Sequence, residues 1–225
     1  MNTRSLDKTL AALATLCAVT VGAMVVAIVV TRSSQDFFQT ARPVQAYAAY
    51  LAETPLRGIG LPINLGLDNL FLILYAAFFV LLAARLRGLL EARILTVALT
   101  AMLVTASLDA LENNHIMEMI HAIETGLPVM AADGEVQMMA SQIKFHASYL
   151  AVLLFSFGLF RLGMLGRLTA ISLWIYVPLG VAISVLPPDA TKLLALGRTV
   201  FFVFAFILSA RLFFKAARSD GQAPV

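Results

Sequence analysis

The chain has 225 residues, of which 60% are hydrophobic and only 13% are charged, and its formal net charge is +3. This composition, with a mean hydropathy of +0.89, excludes an ordinary soluble globular protein and is typical of a polytopic membrane protein. Most basic residues lie at the ends of apolar runs, which indicates membrane orientation, so no nucleic acid is expected as a partner.

Six apolar runs are long enough, some of them with the help of neighbouring polar residues, to cross a bilayer. A hydrocarbon core of about 30 Å needs roughly 20 helical residues. The sequence therefore predicts an all-α fold, in which residues 1–225 form a single polytopic membrane bundle of six transmembrane helices. The predicted spans are residues 9–30, 63–84, 94–115, 143–160, 168–186 and 191–210.

The first span is interpreted as a retained helix, because residues 9–30 form a longer apolar run than a signal-peptide core of roughly 7 to 15 residues. The connection that follows, Thr31 to Pro62, is longer than is usual in compact domains. Within it, the alanine- and tyrosine-rich stretch Val44 to Glu53 predicts a short helix on the membrane surface. The sequence leaves open whether this connection is a plain linker or a lid over a site.

The third span begins in an apolar run that is too short to cross a membrane alone, so the helix is predicted to continue through Ser107 to Glu124. It then carries Asp109, Glu112 and Asn113 to membrane depth. Ionisable groups are costly there and mark a functional site by default. The next stretch, Gly126 to Ser141, contains glycine and proline and predicts a loop.

Lysine and arginine are concentrated in the termini and in the turns after the second and fourth spans. By the positive-inside rule, this asymmetry predicts that both termini are cytoplasmic, although three arginines in the first connection count against it. The expected location is a bacterial inner membrane.

Charged and amide side chains on four predicted helices converge on one layer of the membrane, on the side opposite the termini. Their depth follows from a rise of about 1.5 Å per residue from the basic end of each helix. The predicted ligand-binding residues are Asp68, Asn69, Asp109, Glu112, Asn113, Lys144 and Arg198.

Two interpretations of this layer remain open. It can be an ion-pair network that only fixes helix packing. Alternatively, it binds or transfers a small polar or lipid-headgroup ligand, with Asp109 and Glu112 as acidic contacts, Lys144 and Arg198 as basic ones, and membrane lipid as the partner.

A divalent metal is the cofactor considered for the alternative function. Glu112 and His115 are three residues apart, a spacing that places two ligands on adjacent helical turns. With His146 they form the candidate metal ligands, and a bound metal would activate water towards a lipid ester or amide. The alternative is thus a metal-dependent intramembrane hydrolase, in which Asp109 orients a ligand or acts as base.

No internal repeat is evident, which weakens a classical secondary transporter. Six helices are also few for transport by a single chain, so transport would call for a homo-oligomer. The residues leave open whether the protein is an enzyme.

Overall fold

The computed structural model describes residues 2–39, 44–53, 55–186 and 188–219. Seven α-helices and one short 3-10 helix occur in these ranges, and no β-strand does. The all-α class predicted from the sequence is confirmed. The helices are α1 Thr3–Thr31, the 3-10 helix Gln35–Gln39, α2 Val44–Ala52, α3 Pro55–Arg85, α4 Ala92–Thr125, α5 Ala131–Leu159, α6 Gly163–Val185 and α7 Pro188–Ser219.

Six of the described helices, all except α2, are long and apolar enough to cross a membrane. The predicted multi-pass arrangement is confirmed at this level. Several helices extend well beyond the predicted spans: α3 begins at Pro55 instead of residue 63, and α5 begins at Ala131 instead of residue 143. The added turns of α5 contain polar residues, which give no hydropathy signal, and those of α3 contain Pro55, Pro62 and two glycines, which are typical of a connection.

The connection between α4 and α5 corrects the predicted loop at Gly126 to Ser141, which is wrong over most of its length. Gly126 adopts a φ of 73°, and backbone hydrogen bonds around it close the end of α4 in the manner of a Schellman motif. At the start of α5, the Asp133 carboxylate accepts a hydrogen bond of 2.8 Å from the Met130 N–H group. The second half of the predicted loop is therefore helical.

By the proximity of their Cα atoms, the residues form two compact units. The first unit comprises Met1–Val19, Ile73–Val104 and Phe145–Val225, and the second comprises Thr20–Leu72 and Thr105–Lys144. In the first unit, α6 packs along α7. Aromatic rings fill its interior, with Phe79 and Phe155 at 5.1 Å and Phe78 and Phe206 at 5.6 Å between ring centroids.

In the second unit, the connection between α1 and α3 is part of the core. Phe38 and Tyr47 stack at 5.2 Å and are fully buried. They pack against apolar side chains of α3 and α4, namely Leu61, Leu65, Ile116, Met119 and Ile120. We call the 3-10 helix and α2 together the covering segment. The short helix predicted at Val44 to Glu53 is present as α2, and it lies in a segment that contributes to a hydrophobic core.

Candidate functional site

Three charged side chains meet inside the second unit. The Lys144 ammonium on α5 donates hydrogen bonds of 2.8 Å to Asp109 Oδ1 and of 2.8 Å to Glu112 Oε1 on α4. The two acids are three residues apart and therefore project from the same face of α4. All three side chains are buried, with Lys144 only 4% and Glu112 only 1% exposed. One cation thus holds two carboxylates in a water-poor environment.

Two neutral donors complete the surroundings of Glu112. Ser141 Oγ, one turn before Lys144 on α5, donates to Glu112 Oε2 at 2.5 Å. Gln39 Nε2, from the covering segment, donates to Glu112 Oε1 at 2.6 Å. Both oxygens of this carboxylate are therefore held by three donors from two other chain segments, α5 and the covering segment, which fixes its position.

Asp68 on α3 is the third carboxylate of the cluster and has different partners. Its Oδ2 atom accepts a hydrogen bond of 2.8 Å from Asn113 Nδ2, and it accepts another from the Gln35 side chain. Within the described residues it takes part in no ion pair, although Lys144 acts on it electrostatically from a longer distance. Asp68 is only 4% exposed, so amides alone hold a buried acid.

The charges that the described residues bring to this cluster do not balance. Asp68, Asp109 and Glu112 contribute three negative charges when ionised and Lys144 contributes one positive charge, which leaves an excess of two. Burying such an excess is costly, because the low-dielectric interior does not solvate it. A proton or a bound cation would remove part of that cost.

Several carboxamide atoms near Asp68 are buried without a hydrogen-bond partner among the described protein groups. These atoms are Asn64 Nδ2 and Oδ1, Asn113 Oδ1 and Gln35 Oε1. Asn113 and Gln35 both donate to Asp68, so their oxygens lie close to it. Asn64 is fully buried and lies one helical turn before Asp68 on the same face of α3. Buried polar groups normally have a partner, so this concentration is unusual.

The structure brings together most of the residues predicted to bind a ligand. Asp68, Asp109, Glu112, Asn113 and Lys144 form the network described above. Asn69 lies at its exposed edge, where its Oδ1 atom accepts a hydrogen bond of 3.1 Å from Asn113 Nδ2.

Arg198, the remaining predicted ligand contact, belongs to the first unit. Its guanidinium carbon lies 4.7 Å from the centroid of the Phe145 ring, and its Nη1 atom donates to Tyr149 Oη at 3.3 Å. These two contacts of Arg198 are with aromatic side chains of α5, and the joint role predicted for it with Lys144 remains a prediction.

The predicted metal ligands Glu112, His115 and His146 are not arranged around a common site. No group of three or more His, Cys, Asp or Glu side chains in the described ranges is arranged to hold a metal ion. His115 Nδ1 lies 2.9 Å from Gln137 Oε1, and His146 is exposed with its ring 5.8 Å from that of Tyr149. Since Glu112 is already occupied by a lysine, a serine and a glutamine, the hydrolase alternative has no geometric support.

The covering segment is fastened at both ends. The Tyr50 hydroxyl accepts a hydrogen bond of 2.6 Å from the Ser34 N–H group, and burial raises the pKa of this hydroxyl. Arg57 donates to the carbonyl oxygens of Arg32 at 2.8 Å and Tyr50 at 3.0 Å, and it forms an ion pair with Glu53. These contacts hold the segment in place, so that Gln35 stays hydrogen-bonded to Asp68 and Gln39 to Glu112.

Sequence reasoning missed Gln35, Gln39 and Ser141 as members of the cluster. All three are neutral and lie outside the apolar spans, so neither charge nor hydropathy marks them. No family model, curated protein or solved structure matches this chain. What the cluster can bind follows from its own donors and acceptors.

Proposed function

We propose that this multi-pass membrane protein binds a small cation at Asp68, held by carboxylate and carboxamide oxygens, as part of a binding or transport function. The observation that carries the proposal is the buried Asp68, whose hydrogen-bond partners among the described residues are amides and which lies near three carboxamide oxygens that have no partner among those residues. A monovalent metal cation and a primary ammonium group, such as that of a lipid headgroup, share the required chemistry.

The charge excess supports this choice of ligand. A cation at Asp68 would reduce the net negative charge of the cluster and satisfy buried oxygen atoms at the same time. Hard cations prefer oxygen ligands, and an ammonium group donates to the same atoms. An anionic ligand would add to the excess. In this proposal Lys144, Asp109 and Glu112 form the rigid support of the site, and Asp68 makes the ligand contact.

The direction of access follows from the arrangement of basic residues. If both termini are cytoplasmic, as the lysine and arginine asymmetry favours, Asp68 lies in the outer half of the membrane, about 25 Å along α3 from Arg85. The ligand then enters from the outer side, past the covering segment. A bacterial inner membrane is the proposed location, and membrane lipid and further copies of the chain are the proposed partners.

Thermal unfolding of the detergent-purified protein tests the proposal. NaCl, KCl and ethanolamine hydrochloride are titrated at constant ionic strength, with N-methyl-glucamine chloride as the balancing salt. A ligand that binds only the folded state raises its stability by about 2.7 kcal/mol at a concentration of 100 Kd. We expect at least one probe to raise the Tm saturably, and Asp68→Asn to abolish this response.

Two features keep this experiment decisive. Asp68→Asn preserves shape and removes a buried charge, so the variant is expected to fold. Glu135→Gln, which changes an exposed acid of α5 in the same unit, serves as the matched control and should respond as the wild type does. If no probe gives a saturable shift, or if Asp68→Asn responds like the control, the proposal is wrong.

A further inference from the structure

A groove lies between the start of α6 and the end of α7, within the first unit, and none of the cluster residues lines it. Its volume is about 280 Å³. Both helices are candidate membrane spans, so the groove is at the end of two crossings. The residues that line it are Leu162, Gly163, Met164, Leu165, Leu212, Lys215, Ala216 and Ser219.

The chain around this groove is strongly basic. Arg211, Lys215 and Arg218 follow a spacing of four and three residues, which puts them on one face of the last turns of α7. All three are exposed. Arg161 and Arg167 flank the start of α6. The acidic residues in the sequence after position 160 are Asp189, near the opposite end of α7, and Asp220, which directly follows Ser219, so the basic residues outnumber the acidic ones. The groove is therefore complementary in charge to an anion.

The walls of the groove are mostly apolar. Leu162, Leu165 and Leu212 line it together with Met164, which is 70% exposed. The polar side chains in the lining are Lys215 and Ser219, and the Ser219 hydroxyl donates to the Lys215 carbonyl oxygen at 3.1 Å. A basic group beside an apolar wall at a membrane boundary suits a ligand that has both an anionic headgroup and a hydrocarbon chain.

We infer that this groove binds an anionic phospholipid, whose phosphate contacts Lys215 and whose acyl chain follows Leu165 and Leu212. Arg211 and Arg218 add positive charge on the same face of α7. The first turn of α6 adds backbone N–H donors, because Leu162 provides no side-chain cap. The site shares no residue with the proposed cation site of Asp68 and carries the opposite charge.

The full chain in detergent tests this inference with dioctanoyl phosphatidylglycerol as the probe. Binding is followed by native mass spectrometry and by the Tm, and the comparison ligands are dioctanoyl phosphatidylcholine and inorganic phosphate. We expect phosphatidylglycerol to bind at least tenfold more tightly than phosphatidylcholine. Inorganic phosphate lacks a hydrocarbon chain. It should therefore neither raise the Tm nor displace bound phosphatidylglycerol at equal concentration.

Matched variants separate the groove from general electrostatic attraction. Arg211→Gln with Lys215→Gln should weaken phosphatidylglycerol binding at least tenfold. Arg4→Gln with Lys8→Gln removes two exposed charges elsewhere and should leave binding unchanged. Ala216→Phe fills the groove without a change of charge and should also weaken binding, with folding checked by gel filtration.

Three results would overturn the inference. Equal binding of the two lipids would show that charge does not select the ligand. Equal losses in the two double variants would reveal unspecific attraction, and displacement by phosphate alone would identify a phosphate site. Asp68→Asn should leave lipid binding intact, so this experiment and the cation titration fail independently.

Discussion

Lys144 on α5 donates a hydrogen bond to Glu112 on α4 across 2.8 Å, and both side chains are buried. The same ammonium donates to Asp109 at 2.8 Å. Since a membrane interior solvates none of these charges, each one depends on its partners. The lysine is therefore the group whose removal should disturb the second unit most.

Lys144→Met should destabilise the protein by about 3 to 5 kcal/mol, because it leaves two buried carboxylates without their cation. Unfolding in detergent, followed by circular dichroism at increasing temperature, measures the loss. Lys8→Met, at an exposed position on α1, is the matched control and should change stability little.

Adding Glu112→Gln to Lys144→Met tests whether the two residues are coupled. Their interaction predicts that the double variant is more stable than the sum of the two single losses implies. Additive losses would mean that the hydrogen bond contributes nothing of its own.

The ion pair of the buried Asp7 with the partly buried Arg85 should matter more than the exposed pair of Glu91 and Arg93. Arg85 Nε donates to Asp7 Oδ1 at 2.7 Å, and the Asp7 side chain is fully buried. Asp7→Asn should cost about 2 kcal/mol, the scale of a hydrogen bond to a charged group. Glu91→Gln should cost less than about 1 kcal/mol, because its 3.9 Å pair is solvated. Equal costs in chemical unfolding would contradict the difference.

Gly180→Ala should destabilise the first unit. A Cβ atom at position 180 would lie 2.1 Å from the Tyr149 ring, so the tyrosine must move, at a cost of about 1 to 3 kcal/mol. Gly66→Ala is the control: a Cβ atom there meets nothing within 4 Å, and alanine favours the helix. The Tm values of the two variants are compared. If Gly180→Ala is as stable as Gly66→Ala, the steric explanation is wrong.

Tyr50 should make the protein sensitive to alkaline pH. Burial raises the pKa of its hydroxyl above the ordinary value of 10.0, so the folded state keeps the proton to higher pH than the unfolded state does. The resulting stabilisation is complete below the unfolded pKa and disappears as the pH rises through the folded pKa. The Tm of the wild type should therefore fall more steeply than that of Tyr50→Phe at alkaline pH. Parallel curves would exclude Tyr50 as the cause.

The helices and the central acids were predictable because their signals are local. Apolar runs identify membrane crossings, and the shortfall of the third run placed Asp109, Glu112 and Asn113 at depth. Lys144 was placed at the same depth from its distance along the chain to Arg161. These predictions needed only helix geometry and the thickness of a bilayer.

The remaining contacts depend on which helix faces which, and a single helical period does not supply that. Arg85 was interpreted as a topology signal, yet it binds a buried aspartate on α1. Ser141 fell in a segment interpreted as a loop because of its glycines, although Gly134 lies inside α5. Gln39 reaches Glu112 across 73 positions of sequence, a separation that only the folded chain closes.

The short connection from α4 to α5 has a consequence for biogenesis. Of the six candidate spans, α5 is the least apolar, with a hydropathy of 1.2, and it carries Lys144. A lysine within a span opposes insertion, by as much as about 2.5 to 3.5 kcal/mol at the helix centre. Because the turn is short, Asp109 and Glu112 of α4 are close to α5 as soon as α5 leaves the ribosome. The two helices can then enter the bilayer as one hairpin in which the lysine is already paired with carboxylates, and the order of synthesis lowers the cost of inserting α5.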